Sequence, residues 1–186
     1  MDPFEFADQV DTRVDEIIAK FKDKKSVRIF SGVFSNLGDY GLIWAVIYLY
    51  LLIAKPNEWK KLTFKISWAG FTVLFMNKVA KSVFKRRRPD KSKEIELLPS
   101  QVDATRPKWV RPSTSSSFPS GHSAAAFAAS TVLSHELNID LHLLSILIAI
   151  SRVTIGDHHA SDVLVGAFEG YVLGLLGNKI AGIVFD

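Results

Sequence analysis

The chain predicts an all-α fold: an integral membrane helical bundle of about five transmembrane helices, with an N-terminal amphipathic helix on its surface. Three observations carry that prediction. Hydrophobic residues make up 48% of 186 positions and mean hydropathy is +0.17, yet 23% of residues are charged. The two figures fit one chain only if charge and apolarity occupy separate stretches, and they do. Near the C-terminus, Gly166, Gly170 and Gly174 recur at i, i+4 and i+8 in an apolar run, a small-residue stripe of the kind that packs helices in lipid.

The elements follow in order. Residues 4–22 place Val10, Val14, Ile17, Ile18 and Phe21 at helical spacing, with Asp11, Arg13, Asp15, Glu16 and Lys20 between them. This segment is too charged to cross a bilayer and is expected on the membrane surface or on the rest of the protein. Residues 26–38, short, apolar and punctuated by Gly and Ser, read as a bent interfacial connection. The uncharged run Tyr40–Ala54 is short of the roughly 20 residues a span needs, and reaches that length only by borrowing Phe34–Gly38. KPNEWKK is a turn, and 62–84 is a second long helix whose polar groups should face the interior or the headgroups. Residues 85–118, basic, carrying four prolines up to Pro112 and a Ser/Thr run at 113–117, read as a loop. Helices resume at Ser120–Leu137, Ile139–Ile155 and Ala160–Val184. The first is rich in alanine, which lets backbones approach; the last contains Glu169, read as a bundle-facing polar group. Residues 1–38 thus form an amphipathic and interfacial segment, and 39–186 a membrane-embedded domain. No basic and apolar leader pattern is seen at the N-terminus.

Composition bounds the chemistry. The chain has no cysteine, which excludes disulfides, thiolate metal sites and cysteine nucleophiles. A net charge of +4 and a pI near 9.3 favour anionic partners. Nucleic acid is not expected, because the cations sit beside apolar helices without interleaved aromatics.

Three blocks concentrate the reactive residues: KSVFKRRRP at 81–89, PSGH at 119–122 and SRVTIGDHHASD at 151–162. Phosphoryl transfer builds charge on equatorial oxygens, so a site for it needs fixed cations and N–H donors. Lys81 and Arg88, seven apart, would face one way on a continuing helix, with Pro89 ending it. Arg152 supplies a third cation, with the planar fork suited to phosphate. Ser120, Gly121 and His122 would open a helix, where free N–H groups and the dipole favour an anion. His158 and Asp162, four apart, suit a carboxylate that fixes a ring tautomer and leaves the other nitrogen to attack. His122 would then protonate the leaving alkoxide. With three cations present, neither a metal nor another cofactor is needed. His135 and His142 read as satisfied polar groups.

The blocks resemble the tripartite pattern KxxxxxxRP, PSGH and SRxxxxxHxxxD of the type-2 phosphatidic acid phosphatase superfamily, which also contains the vanadium haloperoxidases. Every specified position is filled, over roughly residues 62–175. The resemblance implies a metal-independent lipid phosphate phosphatase. In it His158 would be the nucleophile forming a phosphohistidine, Asp162 its orienting partner and His122 the general acid. Lys81, Arg88, Ser120, Gly121 and Arg152 would bind the phosphate. The substrate would be a membrane lipid phosphate, glycerolipid (phosphatidate, phosphatidylglycerol phosphate) or polyprenyl (mono- or diphosphate), and the 85–118 loop would help choose it. Two alternatives are a vanadate-dependent haloperoxidase and a non-catalytic lipid-phosphate-binding membrane protein. Two departures accompany the match. Family members with six spans have one more than is found here, and Asp157 places an extra carboxylate beside His158, expected to raise its pKa. His159 is a second candidate base, which the spacing to Arg152 and Asp162 disfavours. The blocks must meet at one face, shared by the N-terminus and the basic loop. By the positive-inside tendency this is the cytoplasmic face of a multi-pass cell-membrane protein. The oligomeric state is left open.

Overall fold

A computed structural model describes residues 5–89, 107, 109–110 and 115–185; the rest of the 85–118 loop lies outside the described residues. Among the described residues there are seven α-helices and no strand. They are α1 (Glu5–Ala19), α2 (Lys25–Gly38), α3 (Leu42–Ala54), α4 (Trp59–Val83), α5 (Gly121–Leu137), α6 (His142–Thr154) and α7 (Ala160–Phe185), with short 3-10 turns at Asp39–Gly41 and Pro56–Glu58.

α5 is the central helix, packed against α3, α4, α6 and α7. Its closest partner is α7, and the glycine stripe explains why. A Cβ on Gly166 would stand 2.5 Å from the Ser120 carbonyl oxygen, and one on Gly174 would stand 2.7 Å from Thr131 Cβ. A Cβ on Gly170 would collide with the Ala124 backbone. The stripe therefore packs inside the bundle, backbone against backbone, with Ala124 and Ala128 facing it from the small-residue side of α5. At one end of this seam the Ser120 N–H donates to the Asp162 carbonyl at 3.0 Å, tying the starts of α5 and α7 together.

Residues 26–38 form a helix rather than a bent connection. Ser31, Gly32 and Ser35, which look like turn residues, form its buried face. A Cβ at Gly32 would meet Trp109 at 2.9 Å and one at Gly38 would meet Ile148 of α6 at 2.8 Å, so small residues here permit close packing. α1 lies on the protein at the start of α7.

By length and composition, α7 is the one described helix able to cross a bilayer by itself; α2 and α3, bent by 51° at their break, pass together as a second candidate. α6 is apolar but shorter. α4 has the length and lacks the composition, since it carries lysines. Its Lys65 is nevertheless buried, bonded at 2.5 Å to Glu136 of α5, while its Phe71, Leu74 and Phe75 point outward. α3, α6 and α7 also expose apolar side chains, among them Ile53, Leu143 and Phe168. The bundle is thus polar at points within and apolar around its outside, the reverse of a water-soluble helix packing.

Candidate active site

The C-terminal end of α4 and the N-terminal ends of α5 and α7 converge with the α6–α7 turn, and the three sequence blocks meet there. α4 stops at Val83, where Phe84 turns extended, so Lys81 and Arg88 do not share a helical face as expected. Arg88 arrives on an extended segment held by the Ser/Thr run. The Ser117 N–H donates to the Arg86 carbonyl at 3.0 Å, and the Arg86 N–H donates to Ser116 Oγ at 3.1 Å. Lys81 Nζ donates to Ser115 Oγ at 3.2 Å, and Arg88 Nε donates to the Ser115 carbonyl at 2.9 Å. Ser115 thereby brings the two cations to one place.

The turn that carries His158 is built by a helix stop. Gly156 adopts φ +76° one residue past the α6 C-cap, Ile155. Its N–H donates to the Val153 carbonyl at 3.0 Å, and the Asp157 N–H donates to the Arg152 carbonyl at 3.1 Å. This paired pattern is a Schellman motif, and the left-handed residue it needs is ordinarily glycine. It reverses the chain so that Asp157 and His158 point back into the bundle, both buried.

His158 Nδ1 donates to the Ser117 carbonyl at 2.6 Å, because a carbonyl only accepts. Nε2 therefore carries the lone pair, and it faces Arg88 Nη1 at 3.3 Å. Asp162 lies 3.8 Å from Nδ1, too far for a hydrogen bond. The tautomer is fixed by Ser117, and Asp162 contributes nearby negative charge. Its oxygens are taken by Arg86 Nη1 at 2.7 Å and by the His159 N–H at 2.9 Å. His158 precedes α7 and is not on it, which is why the four-residue spacing does not produce a direct bond.

Burial pushes His158 down to about 4, with Arg88 and Arg152 adding to the fall and Asp162 opposing it. The net shift is thus downward, although a carboxylate at Asp157 was expected to raise the ring. The Asp157 carboxylate is turned to Arg152, which it meets in a buried ion pair. The other arm of Arg152 bonds Ser35 of α2. His159 points away, its Nε2 near the Arg87 carbonyl.

Ser120 is the N-cap of α5 and accepts from Ser123 Oγ at 2.9 Å. Gly121 sits against the side chain of Asn77 of α4, where a Cβ would come 3.2 Å from the amide Oδ1. His122 Nε2 is 2.6 Å from Asp39 Oδ1, in the turn between α2 and α3. Sequence reasoning missed Asp39. The end of α2 and the turn after it reach Arg152 through Ser35 and His122 through Asp39. Reasoning also missed Arg86, Ser115 and Ser117. His142, by contrast, is a satisfied polar group as expected, bonded to Asp140 and Thr131.

A cavity of about 720 Å³ opens between α3, α4 and α5. Its wall is largely apolar, from Trp44, Ile66, Val73 and Ala125, and it ends at Lys81, Gly121 and His122.

The chain is similar in sequence and in fold to known proteins. The decaprenylphosphoryl-5-phosphoribose phosphatase of Mycobacterium tuberculosis is 27% identical over 150 residues, 80% of this chain and 77% of that protein. The transmembrane PAP2-type phosphatidylglycerolphosphate phosphatase of Bacillus subtilis shares the fold, with a TM-score of 0.74 at 21% identity, covering 97% of this chain and 88% of that one. LpxE of Aquifex aeolicus superposes with a TM-score of 0.64 at 26% identity, over 90% of this chain and 94% of its own. The family model of the PAP2 superfamily matches residues 59–183, a span that holds all three blocks. The chain belongs to the PAP2 superfamily and is a lipid phosphate phosphatase of that family.

Proposed function

We propose that the enzyme removes phosphate from a membrane lipid phosphate through a phosphohistidine on His158, without a metal. The observation that carries the substrate class is the cavity: an apolar chamber that ends on a lysine, a helix N-terminus and a histidine suits a lipid tail joined to a phosphate. Lys81, Arg88 and Arg152, with the N–H groups around Ser120 and Gly121, bind the phosphate oxygens. His158 Nε2 attacks phosphorus, the bond to the lipid oxygen breaks, and His122 gives that oxygen its proton. Asp39 supports the protonated His122 ring before transfer. Water then attacks the phosphohistidine and returns a proton to His122, releasing inorganic phosphate and regenerating His158. Asp162 supplies the negative charge beside the ring as it becomes cationic.

The relatives act on a polyprenyl-linked phosphoribose and on phosphatidylglycerol phosphate. Glycerolipid and polyprenyl phosphates are therefore the two classes to compare. Purified protein in detergent, with chelator present, should release phosphate from one class in preference, and chelator should leave the rate unchanged. Loss of activity on chelation would overturn the metal-independent route, and no release from either class would overturn the substrate assignment.

The five-span arrangement is supported by the burial of Lys65 and Asn77 on α4 and of Ser130, Thr131 and Glu136 on α5, and by the apolar outer surface of α3, α4, α6 and α7. The lysines and arginines around the site favour its facing the cytoplasm. A reporter fused after Asp186 should then be active only outside the cytoplasm; cytoplasmic activity of that fusion contradicts this orientation.

A further inference from the structure

α1 is charged and mostly exposed, yet one of its carboxylates is buried. Asp11 is 3% exposed and accepts three hydrogen bonds. Ser161 donates its N–H to Oδ1 at 2.8 Å and its hydroxyl to Oδ2 at 2.7 Å. Arg86 Nη2 donates to Oδ2 at 2.7 Å. Ser161 is the second residue of α7, and its N–H is one of the donors a helix start leaves without an intrahelical partner. The residue before α7 is His159, which is not a capping type. The cap therefore comes in trans, from 150 residues away. A carboxylate there also sits at the positive end of the α7 dipole.

Arg86 joins this cap to the reacting residues. Its Nη1 donates to Asp162 Oδ1 and to Ser161 Oγ, each at 2.7 Å. One guanidinium thus spans two buried carboxylates, Asp11 of α1 and Asp162 of α7. Arg86 is not among the positions specified by the phosphate-binding pattern, and Asp11 lies outside the residues matched by the family model. Asp8, one turn before Asp11, also reaches Arg86 at 3.2 Å, but its side chain is 59% exposed and it makes no hydrogen bond or ion pair with the described residues of α7.

We propose that Asp11 is a positioning residue for catalysis: a helix cap delivered by the N-terminal helix that holds the start of α7, and with it Asp162 and the His158 turn, in register with the phosphate site. The inference rests on the phosphohistidine reading above. Without the Asp11 charge the α7 start and Arg86 lose a shared anchor, and His158 drifts relative to Arg88 and Ser117. Lipid binding in the cavity between α3, α4 and α5 is untouched.

The test compares Asp11→Asn, Ser161→Ala and Asp8→Asn in detergent-purified full chain, with His158→Ala alongside. Misplacement on the ångström scale predicts that Asp11→Asn lowers kcat about 10- to 100-fold with KM within about twofold. Ser161→Ala, which removes one hydroxyl and spares the fold, should lower kcat less. In the Asp11→Asn background it should add little, because both act through one contact. Asp8→Asn should match wild type. Wild-type kcat in Asp11→Asn would overturn the inference. So would a loss shared equally by Asp8→Asn, a rise in KM that accounts for the whole effect, or, should Asp11→Asn not fold, wild-type kcat in Ser161→Ala. Turnover surviving in His158→Ala would instead remove the phosphohistidine reading, a separate outcome.

Discussion

Gly166→Ala should cost the enzyme its rate before it costs the fold. The new Cβ would lie 2.5 Å from the Ser120 carbonyl oxygen and 3.3 Å from the Ser120 C and N. Ordinary contact begins at 3.4 Å, so the oxygen must retreat by about 0.9 Å. All three nearest atoms are backbone, and no rotamer relieves the clash. Ser120 caps α5, and its N–H bonds the Asp162 carbonyl, so the displacement passes directly into the phosphate site and the α5–α7 junction. Overpacking of this kind costs about 1–3 kcal/mol of stability. A misplacement near 1 Å costs about 100-fold in rate. Gly174→Ala is the matched control. Its Cβ would meet Thr131 Cβ at 2.7 Å and the Ala128 carbonyl oxygen at 2.9 Å, on the same seam but two turns further from the site. It should destabilise comparably and slow the reaction far less. The assay is initial-rate phosphate release beside thermal inactivation of each variant in detergent. Wild-type kcat in Gly166→Ala, or equal rate losses in both variants, would refute the reasoning that the glycine seam sets the register of the site.

Two further outcomes follow from the histidines. His158 is held at about 4, below its ordinary 6.5, so its neutral, nucleophilic form is present above that value and is lost as pH falls through it. After division by the substrate's own ionisation at about 6, the acid limb of kcat/KM should therefore fall near 4; an acid limb near 6.5 would contradict a ring kept neutral by burial. Asp39→Asn should lower turnover of a lipid phosphate by about 10- to 100-fold and spare an activated aryl phosphate, since general-acid help matters most for poor leaving groups. Equal losses on both substrates would remove Asp39 and His122 from proton transfer.

Much of this site was legible in the chain because its residues lie in short blocks at helix ends. Helix starts and stops are local events, and PSGH and Ile155–His158 declare them through a capping serine and a left-handed glycine. Their assembly was less legible. Lys81 and Arg88 looked like neighbours on one helix, but α4 ends at Val83, and Ser115 brings the two cations together. Asp162 looked like the partner of His158 from a four-residue spacing that holds only inside a helix; His158 precedes α7, and the Ser117 carbonyl takes the bond instead. Asp157 looked like a charge that would raise His158; its carboxylate pairs with Arg152, and burial sets the direction of the ring's shift. Residues 26–38 looked like a connection because serine and glycine mark turns as readily as close helix faces. The lysines of α4 obscured its apolar exterior, since a hydropathy average does not record which side of a helix is buried. Asp39 and Asp11 carry no local signal of their roles: each acts on a residue 83 or 150 positions away.

The central claim is that His158 carries the phosphoryl group. Rapid acid-free quenching of the enzyme with a phosphate-labelled lipid substrate, followed by an alkali and acid stability test of the labelled protein, addresses it most directly. The account predicts stoichiometric label that survives alkali and is lost in acid, formed on the wild-type chain and absent from His158→Ala. Turnover without any labelled protein, or label that persists in His158→Ala, would contradict it.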